Sequence, residues 1–227
     1  MDKYHYRYER TSHYCYPNSD TLINKLGIKD EKVLNQYERK LVAMRQAELS
    51  ANPMKGNLDF EHLKAIHKYL FQDLYHWAGE TRTCGIAKKD LFCLSQYIES
   101  YAEDVFEVLI SRNYFISLVY NDKLDALVSL FGDINALHPF REGNGRTQRE
   151  FINMIARING LNISFVNIQT DEMIEASHLI NNGHEKMLKD LFSKNIEKIS
   201  YKEQKTYIQK YIRSKVIQNK LLELIRK

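Results

Sequence analysis

Proline is scarce in this chain, with three in 227 residues, and glycine little more common at nine. With so few breakers, and with apolar residues recurring at three- and four-residue intervals, the sequence argues for helices. Cysteine is scarcer still. Cys15, Cys84 and Cys93 form an odd set without metal-ligand spacing, which excludes a disulfide framework or a zinc site and favours reduced thiols. No run approaches the roughly 18 uninterrupted apolar residues of a membrane span, and the opening "MDKYHYRYERTSHYCYPN" has no apolar centre. No membrane segment or conventional export signal is expected, and the reading is a soluble protein of the cytosol. There is no G-x-x-x-x-G-K-[ST], so a P-loop is not expected, and His62 and His67 lack an H-E-x-x-H arrangement. His67 reads as a core residue.

What is present fits one sizeable core, or one domain with an appendage: 44% of residues are apolar. The net charge of +4 is uneven. Residues 198–227 carry nine Lys or Arg against Glu203 and Glu223, which leaves −3 on residues 1–197. The expected division is a domain over 1–197, including its N-terminal lead-in, and a basic helical extension over 198–227.

Asp30 can cap a helix running to about Ser50 with Val33, Leu34, Tyr37, Leu41 and Met44 on one face. Asp59 starts another, apolar on one side from Phe60 through Leu74 and Trp77 until Gly79 stops it. Residues 81–93, "TRTCGIAKKDLFC", lose the helical period and suit a hairpin turning at Lys88, Lys89 and Asp90, the only β structure expected. Helical spacing returns through Ile98–Leu109 and again through Leu124–Leu137, which ends at His138 before Pro139. Phe151–Ile158 define a helix closed by Gly160, and further helices follow near 170, over 184–197 and over 200–226.

Between two of these helices lies "HPFREGNGR". Gly143 and Gly145 let backbone N–H groups converge, and the helix start behind them leaves donors without partners, an arrangement that favours phosphate. Asn144 adds a side-chain donor, and Arg146 and Arg149 can grip further phosphate oxygens from one helical face. Glu142 offers a hard carboxylate oxygen, as Mg²⁺ requires when phosphates supply its other ligands. His138, with an imidazole whose ordinary pKa is near 6.5, is a candidate general base. Base, metal ligand and phosphate cradle together imply a hydroxyl attacking phosphorus.

"HPFREGNGRTQR" resembles the Fic motif, HxFx(D/E)GNGRxxR, and matches it at His138, Phe140, Glu142, Gly143, Asn144, Gly145, Arg146 and Arg149. "SHYCYPNSDTLINKLGI", "LFQDLYHWAGETR", "INALHPF" and "INGLNISF" are similar, in order, to the lead-in, pre-flap helix, motif helix and closing helix of Fic domains over about 12–195. The resemblance implies an all-α fold, a Fic helical bundle with a short β-hairpin flap over the active site. It implies an AMP-transferring enzyme (adenylyltransferase): His138 deprotonates a Tyr, Ser or Thr hydroxyl of a target protein, which attacks the α-phosphate of ATP and expels pyrophosphate. Glu142 holds Mg²⁺. Phe140 anchors the loop, Arg141 is counted with the ATP-binding residues, Asn144 and the amides of Gly143 to Gly145 meet the α- and β-phosphates, and Arg146 and Arg149 orient the β- and γ-phosphates. The flap, Thr83, Cys84, Gly85, Ile86, Lys88 and Lys89, pairs with an extended segment of the target.

The resemblance also implies restraint by a helix carrying [S/T]xxxE[G/N], whose glutamate pairs with Arg149. "SQYIES" (95–100) and "SKNIEK" (193–198) each match the serine and glutamate and fail at the last position. Ser193 and Glu197 are kept as the alternative in cis. The favoured expectation is a toxin-like or effector-like enzyme held by a separate antitoxin-like partner with an acidic helix. Two alternatives stay open: transfer of another phosphate-linked group such as UMP, and a non-enzymatic helical adaptor whose basic tail binds a polyanion. For that tail, a helix packed on the domain with a solvated charged face is favoured over binding to nucleic acid or membrane.

Overall fold

The computed structural model describes residues 7–8, 12–87 and 91–226. Helices dominate, in the order α1 (Glu31–Ala51), α2 (Phe60–Phe71), α3 (Ile98–Ser111), α4 (Tyr120–Leu137), α5 (Asn144–Ile158), α6 (Thr170–Asn181), α7 (Lys186–Asn195), α8 (Tyr201–Tyr211) and α9 (Lys215–Leu224). One core cluster runs from Leu34 of α1 to Leu221 of α9, so the basic tail packs into the core of the helices before it. At its centre α5 packs against α4 and α2. Phe151, Ile152, Ile155 and Ile158 of α5, and Leu127, Val128 and Phe131 of α4, are buried. Each such side chain contributes roughly 1.5–3 kcal/mol.

The caps follow the sequence. The carboxylate of Asp30 accepts from Val33 N at 2.9 Å, and that of Asp59 from His62 N at 2.9 Å, each satisfying an N–H that the first turn leaves without a partner.

The inward face of α1 differs from the expected one. Leu34 is buried and Leu41 packs partly buried against the core, as expected, but Glu38, Val42 and Leu49 are buried too, whereas Val33, Tyr37 and Met44 are exposed. A charged residue, Glu38, occupies the core-facing stripe, where Arg146 and Tyr75 pair with its carboxylate. Helix α2 ends at Phe71, not near Gly79. Leu74 N and Tyr75 N both donate to Phe71 O at 3.0 Å, and these tight turns bury Leu74 and Tyr75 while exposing His76. The apolar spacing beyond Phe71 is therefore used by turns.

The tail is two helices, not one. Ile212 and Arg213 run alongside the loop before α2: Gly56 N donates to Tyr211 O at 3.0 Å, Arg213 N to Gly56 O at 2.8 Å, and Ser214 N to Asn57 Oδ1 at 3.0 Å. Ser214 then caps α9. The side expected to be apolar is largely buried through Tyr207, Ile208, Tyr211, Ile212 and Leu221, while Val216 lies exposed.

Among the described residues, two short antiparallel ladders accompany the helices. Strand β3 (Leu161–Ile163) pairs with β4 (Ile196–Lys198). "INGLNISF" is thus a strand where a closing helix was expected, and the 81–93 hairpin is not the only β structure. In that hairpin β2 (Ile86–Ala87) is bridged to the return segment through Ala87 and Leu91, and Phe92 N donates to Ile86 O at 3.3 Å. Its expected turn at Lys88, Lys89 and Asp90 lies outside the described residues. The other edge of β2 pairs with β1 (Arg7–Tyr8), a partner the sequence does not announce.

Candidate active site

Helix α4 ends where His138 takes a left-handed backbone, φ 43° and ψ 59°, and Pro139 forbids a further helical turn. The His138 ring stacks on Phe92 at 3.7 Å between centroids. Its Nδ1 faces Asn135 O at 3.3 Å, a contact that sets the proton on Nδ1 and leaves the Nε2 lone pair to accept another.

Its main chain is held from the flap. Arg82, 2% exposed, donates through Nε to His138 O at 2.8 Å, through Nη1 to Cys84 O at 2.7 Å and through Nη2 to Cys93 O. Arg82 N donates to Pro139 O at 2.8 Å. One guanidinium thus ties both roots of the hairpin to the base. Burial among these carbonyls holds its pKa below the ordinary arginine value.

The loop after His138 is braced from below. Phe140 is buried and stacks on His67 at 3.8 Å and 10°, as the anchoring role requires. His67 is a core residue, as expected, and it also supports the loop: Nδ1 accepts from Gly79 N at 2.8 Å, so Nε2 carries the proton and donates to Glu142 O at 2.9 Å. Gly143 has φ 83°, and a Cβ there would sit 2.2 Å from Phe71 Cζ. Only glycine fits both the backbone and the contact.

Asn144 closes the loop on itself. Its Oδ1 accepts from Phe140 N at 2.8 Å and its Nδ2 donates to Phe140 O at 2.7 Å. The side-chain donor expected for phosphate is committed to the backbone here, and the residue shapes the cradle. The cradle itself is the start of α5. Thr147 N, donating to Gly143 O at 3.1 Å, begins the helical bonding, so the N–H groups of Asn144, Gly145 and Arg146 have no acceptor within the helix. The helix dipole adds its positive end there.

The two motif arginines differ. Arg146 donates to Glu38 Oε1 at 2.6 Å and lies 3.4 Å from Glu142 Oε1. Burial alone would lower its pKa, but Glu38 and Glu142 outweigh it and raise the value. Tyr75 Oη donates to the second oxygen of Glu38. Arg149, by contrast, has no carboxylate within ion-pairing distance among the described residues. Burial, with Arg146 beside it, holds its pKa down at about 10. A desolvated guanidinium without a counter-ion is what an anion site looks like before its anion arrives.

Glu142 accepts from Gly143 N at 2.8 Å through Oε1, the oxygen that faces Arg146. Its Oε2 has no hydrogen bond among the described residues. No cluster of three or more His, Cys, Asp or Glu able to hold a metal occurs among them. A single carboxylate oxygen next to a phosphate cradle fits Mg²⁺, which keeps waters and phosphate oxygens as its other ligands, and does not fit a metal needing a protein cage.

Other expected residues sit elsewhere. Arg141 is buried against the lead-in, with Nη2 3.7 Å from Cys15 Sγ and its guanidinium 5.8 Å from the Tyr14 ring. Thr83, Cys84 and Ile86 lie on the flap, where Tyr14, Cys84, Ile86 and Phe92 form a small cluster of their own. Gly85 precedes β2, and Lys88 and Lys89 lie outside the described residues. Glu197 is on β4, not on a helix, and accepts from Asn162 Nδ2 at 2.9 Å, so "SKNIEK" does not form the inhibitory helix. Sequence reasoning missed Arg82 and Glu38. Only Glu38 left a signal, a charge at helical spacing between Leu34 and Val42.

Comparison with known proteins gives the family. Residues 57–156 match the Fic/DOC family. Protein adenylyltransferase VbhT of Bartonella schoenbuchensis is 38% identical over 184 residues, covering 81% of this chain and 38% of VbhT, so the chain spans well under half of that relative. The probable protein adenylyltransferase y4lH of Sinorhizobium fredii is 35% identical over 164 residues, covering 71% of this chain and 84% of y4lH. Among solved structures, the BepC protein of Bartonella tribocorum, a VirB-translocated effector with bound AMPPNP, superposes with a TM-score of 0.76 at 25% identity, covering 83% of this chain and 98% of that one. Motif, bundle and relatives converge: the chain belongs to the Fic/DOC family.

Proposed function

We propose that this protein transfers AMP from ATP to a hydroxyl of a target protein and releases pyrophosphate. One observation carries the reading: a proton-accepting imidazole and the amide-lined start of α5 share a single braced loop. His138 Nε2 takes the proton of the acceptor hydroxyl as its oxygen bonds to the α-phosphorus, and the bond from that phosphorus to pyrophosphate breaks. The amides of Gly145 and Arg146 and the guanidinium of Arg149 hold the phosphate oxygens, stabilising charge already arranged before reaction. Glu142 would hold Mg²⁺, which supplies neutralisation of phosphate charge when bound.

The relatives support this reading: VbhT is named a protein adenylyltransferase, and BepC holds AMPPNP. The target docks by strand pairing on the flap. A partner protein bearing an acidic helix restrains the enzyme through Arg149, the one motif arginine lacking a carboxylate partner among the described residues. The test incubates the protein with bacterial lysate and either α-³²P-ATP or γ-³²P-ATP, beside His138→Ala. Label from the α position only, lost in the variant, is expected. Transfer of γ label means a kinase, and activity kept by His138→Ala removes the assigned base. A parallel arm with α-³²P-UTP tests UMP transfer.

A further inference from the structure

Strand β2 has two edges, and both are in use. Ile86 turns its carbonyl to Phe92 N of the return segment. Successive residues of a strand direct their N–H and C=O groups to opposite sides, so Ala87 offers its own pair to the other edge. There Arg7 stands opposite Ala87 and Tyr8 opposite Ile86, antiparallel. A target segment adding to that edge meets a strand already in place.

A second feature keeps the strand near. The lead-in is fastened to the flap at Tyr14, which is 8% exposed and clustered with Cys84, Ile86 and Phe92. Tyr14 Oη accepts from Thr83 N at 3.2 Å, Thr83 Oγ1 lies 3.0 Å from His13 Nε2, and the Tyr14 ring meets Trp77 edge-on at 5.8 Å. Tyr8 is six residues from Tyr14, and a tether that short gives an effective concentration in the millimolar range. A pairing of two residues is weak alone, but held at that concentration it competes with a free partner.

We propose that the N-terminal strand of this chain is a tethered competitor for the flap edge, which a target protein must displace before its hydroxyl is placed. The inference rests on the flap as the target-docking strand. It concerns access of the target and leaves the nucleotide loop untouched, so its signature is faster transfer at unchanged nucleotide affinity.

The test uses the full chain, a form lacking residues 1–11, and Arg7→Pro, which removes the N–H facing Ala87 while keeping the chain length. The shortened form retains Tyr14 and its cluster, and its melting temperature is checked first. If it fails to fold, Arg7→Pro alone decides. Hydrogen exchange at the Ala87 amide is read by mass spectrometry, affinity for a non-hydrolysable ATP analogue by calorimetry, and transfer from α-³²P-ATP to lysate proteins by gel. Expected are roughly tenfold faster Ala87 exchange, roughly threefold or greater transfer and nucleotide affinity within about twofold of the full chain.

Unchanged Ala87 exchange shows that the edge is not covered and overturns the proposal. Faster exchange with no gain in transfer shows a covered edge that restrains nothing, and overturns it too. No label from any form sinks the transferase reading and the restraint with it, while exchange still decides whether the strand sits on the flap.

Discussion

Arg82 Nε lies 2.8 Å from the carbonyl oxygen of His138, and the same guanidinium donates to Cys84 and Cys93 at the two roots of the flap. A cation that bonds three carbonyls from inside the protein holds the imidazole in place through its backbone. Arg82→Met leaves those carbonyls without donors and is expected to cost about 3 kcal/mol in urea unfolding. Transfer should fall more steeply than nucleotide affinity, because the base moves and the α5 amides do not. A variant with unaltered stability and transfer would refute the assignment.

Arg149 yields the opposite pattern. Its guanidinium is desolvated with no carboxylate partner among the described residues, so Arg149→Ala should leave the melting temperature unchanged or raise it. Affinity for ATP should drop roughly 10- to 100-fold, the range for a hydrogen bond to a charged group. Calorimetry decides: intact affinity means that Arg149 does not touch the phosphates.

Glu38→Ala removes the carboxylate between Arg146 and Tyr75. Breaking a buried pair by deleting one partner costs about 3–5 kcal/mol, measured by chemical denaturation. Glu38→Gln, which still accepts from Tyr75, should recover part of the loss. Equal loss in the two variants would show that the charge on Glu38 is the whole effect.

Gly143→Ala forces a Cβ onto the Phe71 ring from a left-handed backbone, an expected loss of about 3 kcal/mol or more. Phe71→Leu added to it should return some stability by opening the contact. If the single variant unfolds at the same urea concentration as the parent, the close approach is not real.

Acid should destabilise the fold through two histidines. Burial lowers the folded pKa of His62 to about 4 and of His67 to about 3, against an ordinary value near 6.5 in the unfolded chain. The unfolded state therefore binds more protons below that value. The stability is fully present above about pH 6.5 and is lost as pH falls toward the folded values, about 2 kcal/mol for each histidine at pH 5. Equal unfolding free energies at pH 8 and pH 5 would contradict this.

Much of the site was legible because motif spacing is local. His138, Glu142, Gly143 and Arg149 lie within twelve residues, and the turn between α4 and α5 is punctuated by Pro139 and Gly143. What escaped depends on contacts between distant segments. Glu38 is 108 residues from Arg146 and Arg82 is 56 from His138, and no periodicity encodes either pairing. The face of α1 was only partly legible for that reason, since an apolar count finds Leu34 and Leu41 but cannot see that a carboxylate is satisfied inside. The break at Ile212–Ser214 was hidden because neither glycine nor proline marks it. Its cause is a main-chain ladder to Gly56.

That ladder fastens the tail to the loop that joins α1 to α2. A proteolytic nick near Ser214 would cut that loop loose from its C-terminal anchor and register as lost stability, although every motif side chain stayed intact.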